Sequence, residues 1–139
     1  MHRLYIHGQD SPVDIVRALR AGNQTLAVLF DLGRDFGETT EVEFFSQPAC
    51  FVRGPAQLAI AGRARIFPFV CFRAGKRNVI FMHPPFLPQA RPHETLQQAA
   101  ARVTQDLVRL AERWIRQSPA QWKYFDMLPT YFSHREQRS

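Results

Sequence analysis

Apolar and polar positions change rhythm several times along the 139 residues. Leu4 to His7 reads as a short strand. Ser11-Pro12-Val13-Asp14 then supplies a cap, a first-turn proline and an acid at N3, so a helix is predicted through Ile15, Val16, Ala18 and Leu19 up to Gly22. Thr25 to Phe30 is apolar almost throughout, the pattern of a strand covered on both faces. Strand, helix and buried strand together predict a βαβ unit. Asp31 follows directly, where open α/β sheets place their ligands, and it becomes a site candidate on position; a turn-initiating Asp before Leu32-Gly33 is the plainer reading.

Leu32 to Thr40 is a loop rich in glycine and acids, and Val42 to Phe45 a short strand. Pro48 to Arg53 leads into Gly54-Pro55-Ala56-Gln57-Leu58-Ala59-Ile60-Ala61-Gly62, a short helix with proline at its start and Gly62 as its stop. Arg65 to Phe72 and Val79 to His83 form a hairpin around Ala74-Gly75-Lys76-Arg77, with Pro68 marking an edge or a bulge. From Pro92 to Gln117 the pattern is helical, and Leu96, Ala100, Val103, Leu107, Leu110 and Trp114 make one apolar seam. Arg102, Arg109, Arg113 and Arg116 share an arc of roughly 60° on another face. That stripe suits an acidic partner or membrane surface, or simply a solvated helix face. The prediction is a single α/β domain over residues 1–139, a mixed sheet flanked by helices with a long C-terminal amphipathic helix.

Charge changes this picture by locating it. Residues 1–43 carry four arginines against seven acids, a net of −3, whereas residues 44–93 carry seven cations and no acid, a net of +7. A partner of negative charge is expected at that window, at Arg53, Arg63, Arg65 and Arg73. Sixteen of the eighteen cations are arginine, whose fork pairs with phosphate or carboxylate at two points. Aromatic residues interleave with these arginines, but Ile66, Phe67, Phe69, Val70 and Phe72 run too continuously for a displayed stacking surface, which argues for core rings and against nucleic acid. Cys50 and Cys71 lie among apolar neighbours and read as small core residues in a reducing, cytoplasmic compartment. The start lacks a secretory h-region, and the longest uncharged stretch, residues 78–90, is too short and too broken by proline to span a bilayer.

Catalytic motifs are scarce. There is no phosphate loop, no nucleophile elbow and no Cys/His pair; the spacing of the five histidines predicts neither a metal site nor a cofactor.

The order of residues in the middle of the chain resembles one family. Asp31 after an apolar strand, Val42-Glu43-Phe44-Phe45-Ser46-Gln47-Pro48-Ala49, Gly54-Pro55-Ala56-Gln57-Leu58-Ala59, Phe67-Pro68-Phe69-Val70 and the late Pro119-Ala120-Gln121-Trp122 resemble the C-terminal half of the lipid A biosynthesis (lauroyl/myristoyl) acyltransferases, over roughly residues 12–125. The resemblance implies a glycerolipid-acyltransferase-like fold, docking on the cytosolic face of the inner membrane, and transfer of an acyl chain from acyl carrier protein to a lipid hydroxyl. It also implies a His-x4-acid dyad, in which the imidazole takes the hydroxyl proton and the acid orients the ring. Five residues after His2, His7, His83, His93 and His134 stand His7, Pro12, Pro88, Gln98 and Ser139, so no catalytic residue is assigned. Asp126 stands where the family's tail usually has a histidine, and Asp31 is the one substrate-site match carried over. The expectation is therefore a family member inactive alone: a fragment, a subunit of a split enzyme with a complementary subunit or homo-oligomer, or a non-catalytic relative. The alternative is a basic module binding acyl carrier protein or an anionic lipid surface.

Overall fold

The computed structural model describes residues 11–132, so the strand expected at Leu4 to His7 lies outside the described residues, as do His2, His7 and His134. Helix α1 (Pro12–Arg20) starts where the sequence signals it, with the Ser11 hydroxyl accepting from the Val13 N–H at 3.3 Å. Strands β1 (Thr39–Phe44) and β2 (Gln47–Val52) form one antiparallel hairpin, helix α2 (Gly54–Gly62) follows, and β3 (Phe69–Ala74) and β4 (Arg77–Met82) form a second hairpin. The long helix α3 (Leu96–Gln117) precedes short 3-10 turns at Pro119–Gln121 and Phe125–Met127 and a final turn, α4 (Leu128–Tyr131). The α/β class is as expected, with its strands in two separate antiparallel pairs.

The second strand of the expected βαβ unit, Thr25 to Phe30, does not form, and the unit's first strand lies outside the described residues. Residues 24–30 belong to no helix, turn or strand, and no backbone hydrogen bond joins them to another described residue. Val28 is 46% exposed and Leu29 59%. Their apolar pattern was read as a strand between two layers, and the described chain supplies no strand beside them.

Helix α3 is the centre of the fold. Thr95 and Gln98 make a reciprocal capping box at its start, Thr95 Oγ1 accepting from the Gln98 N–H at 3.1 Å and Gln98 Oε1 from the Thr95 N–H at 2.9 Å. The predicted seam is too narrow. Leu96 is exposed, while Ala99, Thr104, Val108, Ala111 and Ile115 are buried beside the seam residues, so close to half of the circumference is covered. The cause is that two layers sit on one helix. On one side Val42 and Phe44 of β1, and Ala49 and Phe51 of β2, pack with Val108, Ala111 and Ile115. On the other, Ala56 of α2 meets Ala100, Val103 and Leu107, where small alanines let two helices approach closely.

The first hairpin turns at Phe45 and Ser46, both left-handed (φ 47° and 60°) without a glycine. Helix α3 holds that turn: Glu112 Oε1 accepts from the Phe45 N–H at 2.7 Å, and the Arg116 guanidinium lies 5.1 Å above the Phe45 ring. In the second hairpin Ile66 pairs with Phe86 whereas the His83 N–H bonds the Pro68 carbonyl, so one extra residue sits on the Pro84-Pro85 side as a bulge. Its rings are not core: Phe67 and Phe69 are each 54% exposed. Nor is Cys71, which is exposed, while Cys50 is half-buried with the Arg34 guanidinium 3.1 Å from its sulfur.

Gly62 does not terminate α2 by a left-handed turn. It is the last helical residue, where a Cβ would come within 2.9 Å of Leu19, so it is glycine for the contact with α1. The left-handed residue is Arg63 (φ 52°), whose N–H bonds the Ile60 carbonyl at 3.2 Å while Ala64 reaches Ala59 at 2.9 Å. That is a Schellman ending built on arginine instead of glycine.

Candidate functional site: a basic-rimmed apolar groove

The uncovered parts of the fold converge on one cavity. A groove of about 830 Å³ has α2 and α3 as its floor, through Leu58, Leu107, Ala111 and Trp114. Its walls are the extended segment 24–31 and residues 65–72 leading into β3. Three cations line it, Arg63, Arg65 and Lys123, against a single acid, Asp31. A cavity of this size, apolar with a few charged groups, has the dimensions of a small-molecule site.

The structure gathers Asp31, Arg63 and Arg65 around the groove and puts the other expected residues elsewhere. Asp31 Oδ2 accepts the Trp122 indole N–H at 3.0 Å, and the Asp31 carbonyl accepts the Tyr131 hydroxyl at 2.8 Å. Tyr131 is fully buried, and burial first, then the negative charge of Asp31, pushes its phenol above the ordinary value of 10. Asp31 thus ties the chain after α3 to the end of the extended segment. Arg53 begins α2 and pairs with Glu38, its Nε buried without a partner, outside the groove lining. Arg73 directs Nε to the Gly75 carbonyl at 3.0 Å on the second hairpin.

The arginine arc on α3 divides by role. Arg102 is folded down, with Nε and Nη2 2.8 and 2.9 Å from the two oxygens of Glu94 and a further bond to the Gln89 carbonyl at 2.8 Å. These bonds, with the Arg91 N–H, hold the Glu94 carboxyl down at about 2. Arg116 covers Phe45, Arg109 stands 4.0 Å from Asp106, and Arg113 is exposed.

Two glutamines have roles that sequence reasoning did not assign, Gln105 having gone unremarked and Gln121 having entered only within the motif Pro119-Ala120-Gln121-Trp122. The Gln105 side chain accepts from the Glu43 N–H at 2.7 Å and donates to its carbonyl at 2.9 Å; Gln121 treats Arg73 the same way at 2.7 and 3.0 Å. Each amide pairs with a strand edge as a neighbouring peptide would. No sequence signal marks such a glutamine. Trp114, Trp122 and Lys123 were also missed as groove residues, since they belong to it only through the packing of α3.

His83 and His93 are the two described histidines. His83 Nδ1 is 2.8 Å from the Pro84 carbonyl, and among the described residues neither forms an ion pair with a carboxylate. Among those residues, no group of three or more His, Cys, Asp or Glu could hold a metal ion, and no helix is long and apolar enough to cross a membrane.

Such an arrangement defines an α/β protein built around an apolar groove with a basic rim. The chain belongs to the bacterial lipid A biosynthesis acyltransferases: the model of that family matches residues 6–128. No curated protein and no solved structure matches it.

Proposed function

We propose that the groove receives the acyl chain of a thioester carried by acyl carrier protein, and that the base activating the acceptor hydroxyl is contributed by a complementary polypeptide. Within this scheme the chain is the acyl-binding part of an acyltransferase and does not transfer alone. The observation that carries the reading is the 830 Å³ apolar groove rimmed by Arg63, Arg65 and Lys123. Its interior suits a hydrocarbon chain, which gains about 0.8 kcal/mol per methylene buried. Its rim suits the acidic surface of a carrier protein or the phosphates of a lipid. Neither described histidine lines the groove, so the imidazole that takes the hydroxyl proton as the oxygen attacks the thioester carbonyl comes from outside the described residues. Work at an anionic membrane surface, peripheral on the cytosolic face of the inner membrane, accords with the same cations.

The test is an acyl-transfer assay with acyl carrier protein thioesters and a lipid acceptor. It is run on the chain alone and with the product of the neighbouring reading frame. Transfer in the mixture alone supports the reading, and transfer by the chain alone overturns it. A second reading, a non-catalytic module for an acidic partner, is favoured by Arg63 and Arg65, which have no ion pair among the described residues. It is supported if the chain binds acyl carrier protein or anionic vesicles with strong salt dependence while neither the chain alone nor the mixture transfers.

A further inference from the structure

The outer edge of β3 has an alternation that can be read from its bonds. The Pro68 carbonyl accepts from His83 on the β4 side, whereas both backbone groups of Arg73 are turned the other way, to Gln121. In an antiparallel pair this direction alternates residue by residue, so Phe69 and Cys71 present their N–H and C=O groups on the same outer edge as Arg73. That edge forms one wall of the groove. Segment 24–30 lines the same groove, its backbone has no partner among the described residues, and its sequence is that of a covered strand. At one end of the edge a side-chain amide already occupies the place of a peptide.

We infer that the space between segment 24–30 and the outer edge of β3 is a strand-acceptor slot, filled by an extended apolar segment of a different polypeptide with carboxylates at its flanks. The backbone edge dictates an extended chain, since only a strand satisfies N–H and C=O groups in that alternation. The apolar floor at Leu58, Leu107 and Trp114 dictates apolar side chains on its inner face. The cations at the rim dictate the carboxylates. The inference rests on the reading that another polypeptide completes the site, and names the place where it docks.

The probe is a capped ten-residue peptide of alternating valine and threonine with glutamate at both ends, added to the full chain without acyl substrate. Controls are the same peptide ended by lysine and one interrupted by two prolines. The expected result is slowed amide exchange at Phe69, Cys71 and residues 27–29, with binding at least about tenfold tighter for the glutamate-ended peptide. Cys71→Pro removes an outward N–H at an edge position, where proline is tolerated, and is expected to abolish binding while leaving the circular dichroism of the free chain unchanged. No protection, equal binding of the proline-interrupted peptide, or unchanged binding by Cys71→Pro would overturn the inference. Protection of the same amides by self-association would reassign the slot to a second copy and likewise overturn it. Because no acyl group is present, these outcomes are read separately from the transfer assay, and failure of the slot is distinguishable from failure of the transfer reading.

Discussion

Trp122 donates its indole N–H to Asp31 Oδ2 across 91 positions of sequence, closing the chain after α3 onto the end of the extended segment. A hydrogen bond to a carboxylate contributes roughly 1.5–3 kcal/mol. Trp122→Phe is expected to lower stability by about that amount in urea unfolding, while Asp31→Asn, which keeps an acceptor oxygen, costs less. Should Asp31 also serve substrate, Asp31→Asn reduces acyl transfer in the complemented assay by more than its stability loss explains.

Tyr131 gives the same junction a sensitivity to alkali. Its phenol is neutral in the folded chain at pH values where an unfolded tyrosine ionises, so the stability it contributes is whole below pH 10 and declines as pH rises above it. Tyr131→Phe is expected to cost about 1 kcal/mol at neutral pH through the lost bond to the Asp31 carbonyl, and to weaken the alkaline fall of the melting temperature.

Acid acts at the other end of the molecule. With its folded carboxyl held at about 2 against an ordinary 4.5, Glu94 contributes stability that is present above pH 4.5 and lost as pH falls toward 2. Unfolding followed by circular dichroism should show Glu94→Gln less stable at neutral pH and flatter across that window. An unchanged acid limb would assign the loss to other carboxylates.

Arg63 lets stability and binding be pulled apart. A non-glycine residue in the left-handed region costs about 1–2 kcal/mol, so Arg63→Gly is expected to raise stability by roughly 1 kcal/mol while removing a cation from the groove rim. Salt-dependent binding to an acidic partner should fall in the same variant that melts later. A variant that melts later and binds equally well would remove Arg63 from the interface.

A comparable gain is expected at the first hairpin. Replacing Phe45-Ser46 by Asn-Gly supplies the residues that a two-residue turn with both φ positive prefers. The gain is less than two strained residues would suggest, because the Arg116 contact with the Phe45 ring is lost. Thermal unfolding of Phe45→Asn with and without Ser46→Gly separates the two terms.

The first two helices were legible because their signals are local: Ser11-Pro12 at α1 and Gly54-Pro55 at α2 stand where those helices begin, whereas α3, expected from Pro92 on its apolar seam, begins at Leu96 behind the Thr95 cap. The second hairpin was legible through Gly75 in its turn. The first was only half seen, since Phe45-Ser46 carries no turn residue and depends on Glu112 and Arg116, more than sixty positions away. Segment 25–30 was misread for a physical reason of its own. Its composition describes the environment it needs, and the described chain does not furnish that environment. At the site, charge patterning pointed to Arg63 and Arg65, whereas Gln121 and Trp122 stood out as part of a motif and took their roles from the return of the chain after α3.

The two glutamine amides also decide where this protein is vulnerable to growth into larger aggregates. Gln105, on the rigid body of α3, blocks the β1 edge at Glu43, one residue short of the strand's end, so another chain cannot pair there without prising a side chain from the central helix. Gln121 blocks the β3 edge only at Arg73, near the hairpin tip, and leaves Phe69 and Cys71 open. Fibre formation on prolonged storage is therefore directed to the second hairpin, and a charged residue at Cys71 is the economical safeguard for anyone preparing the protein.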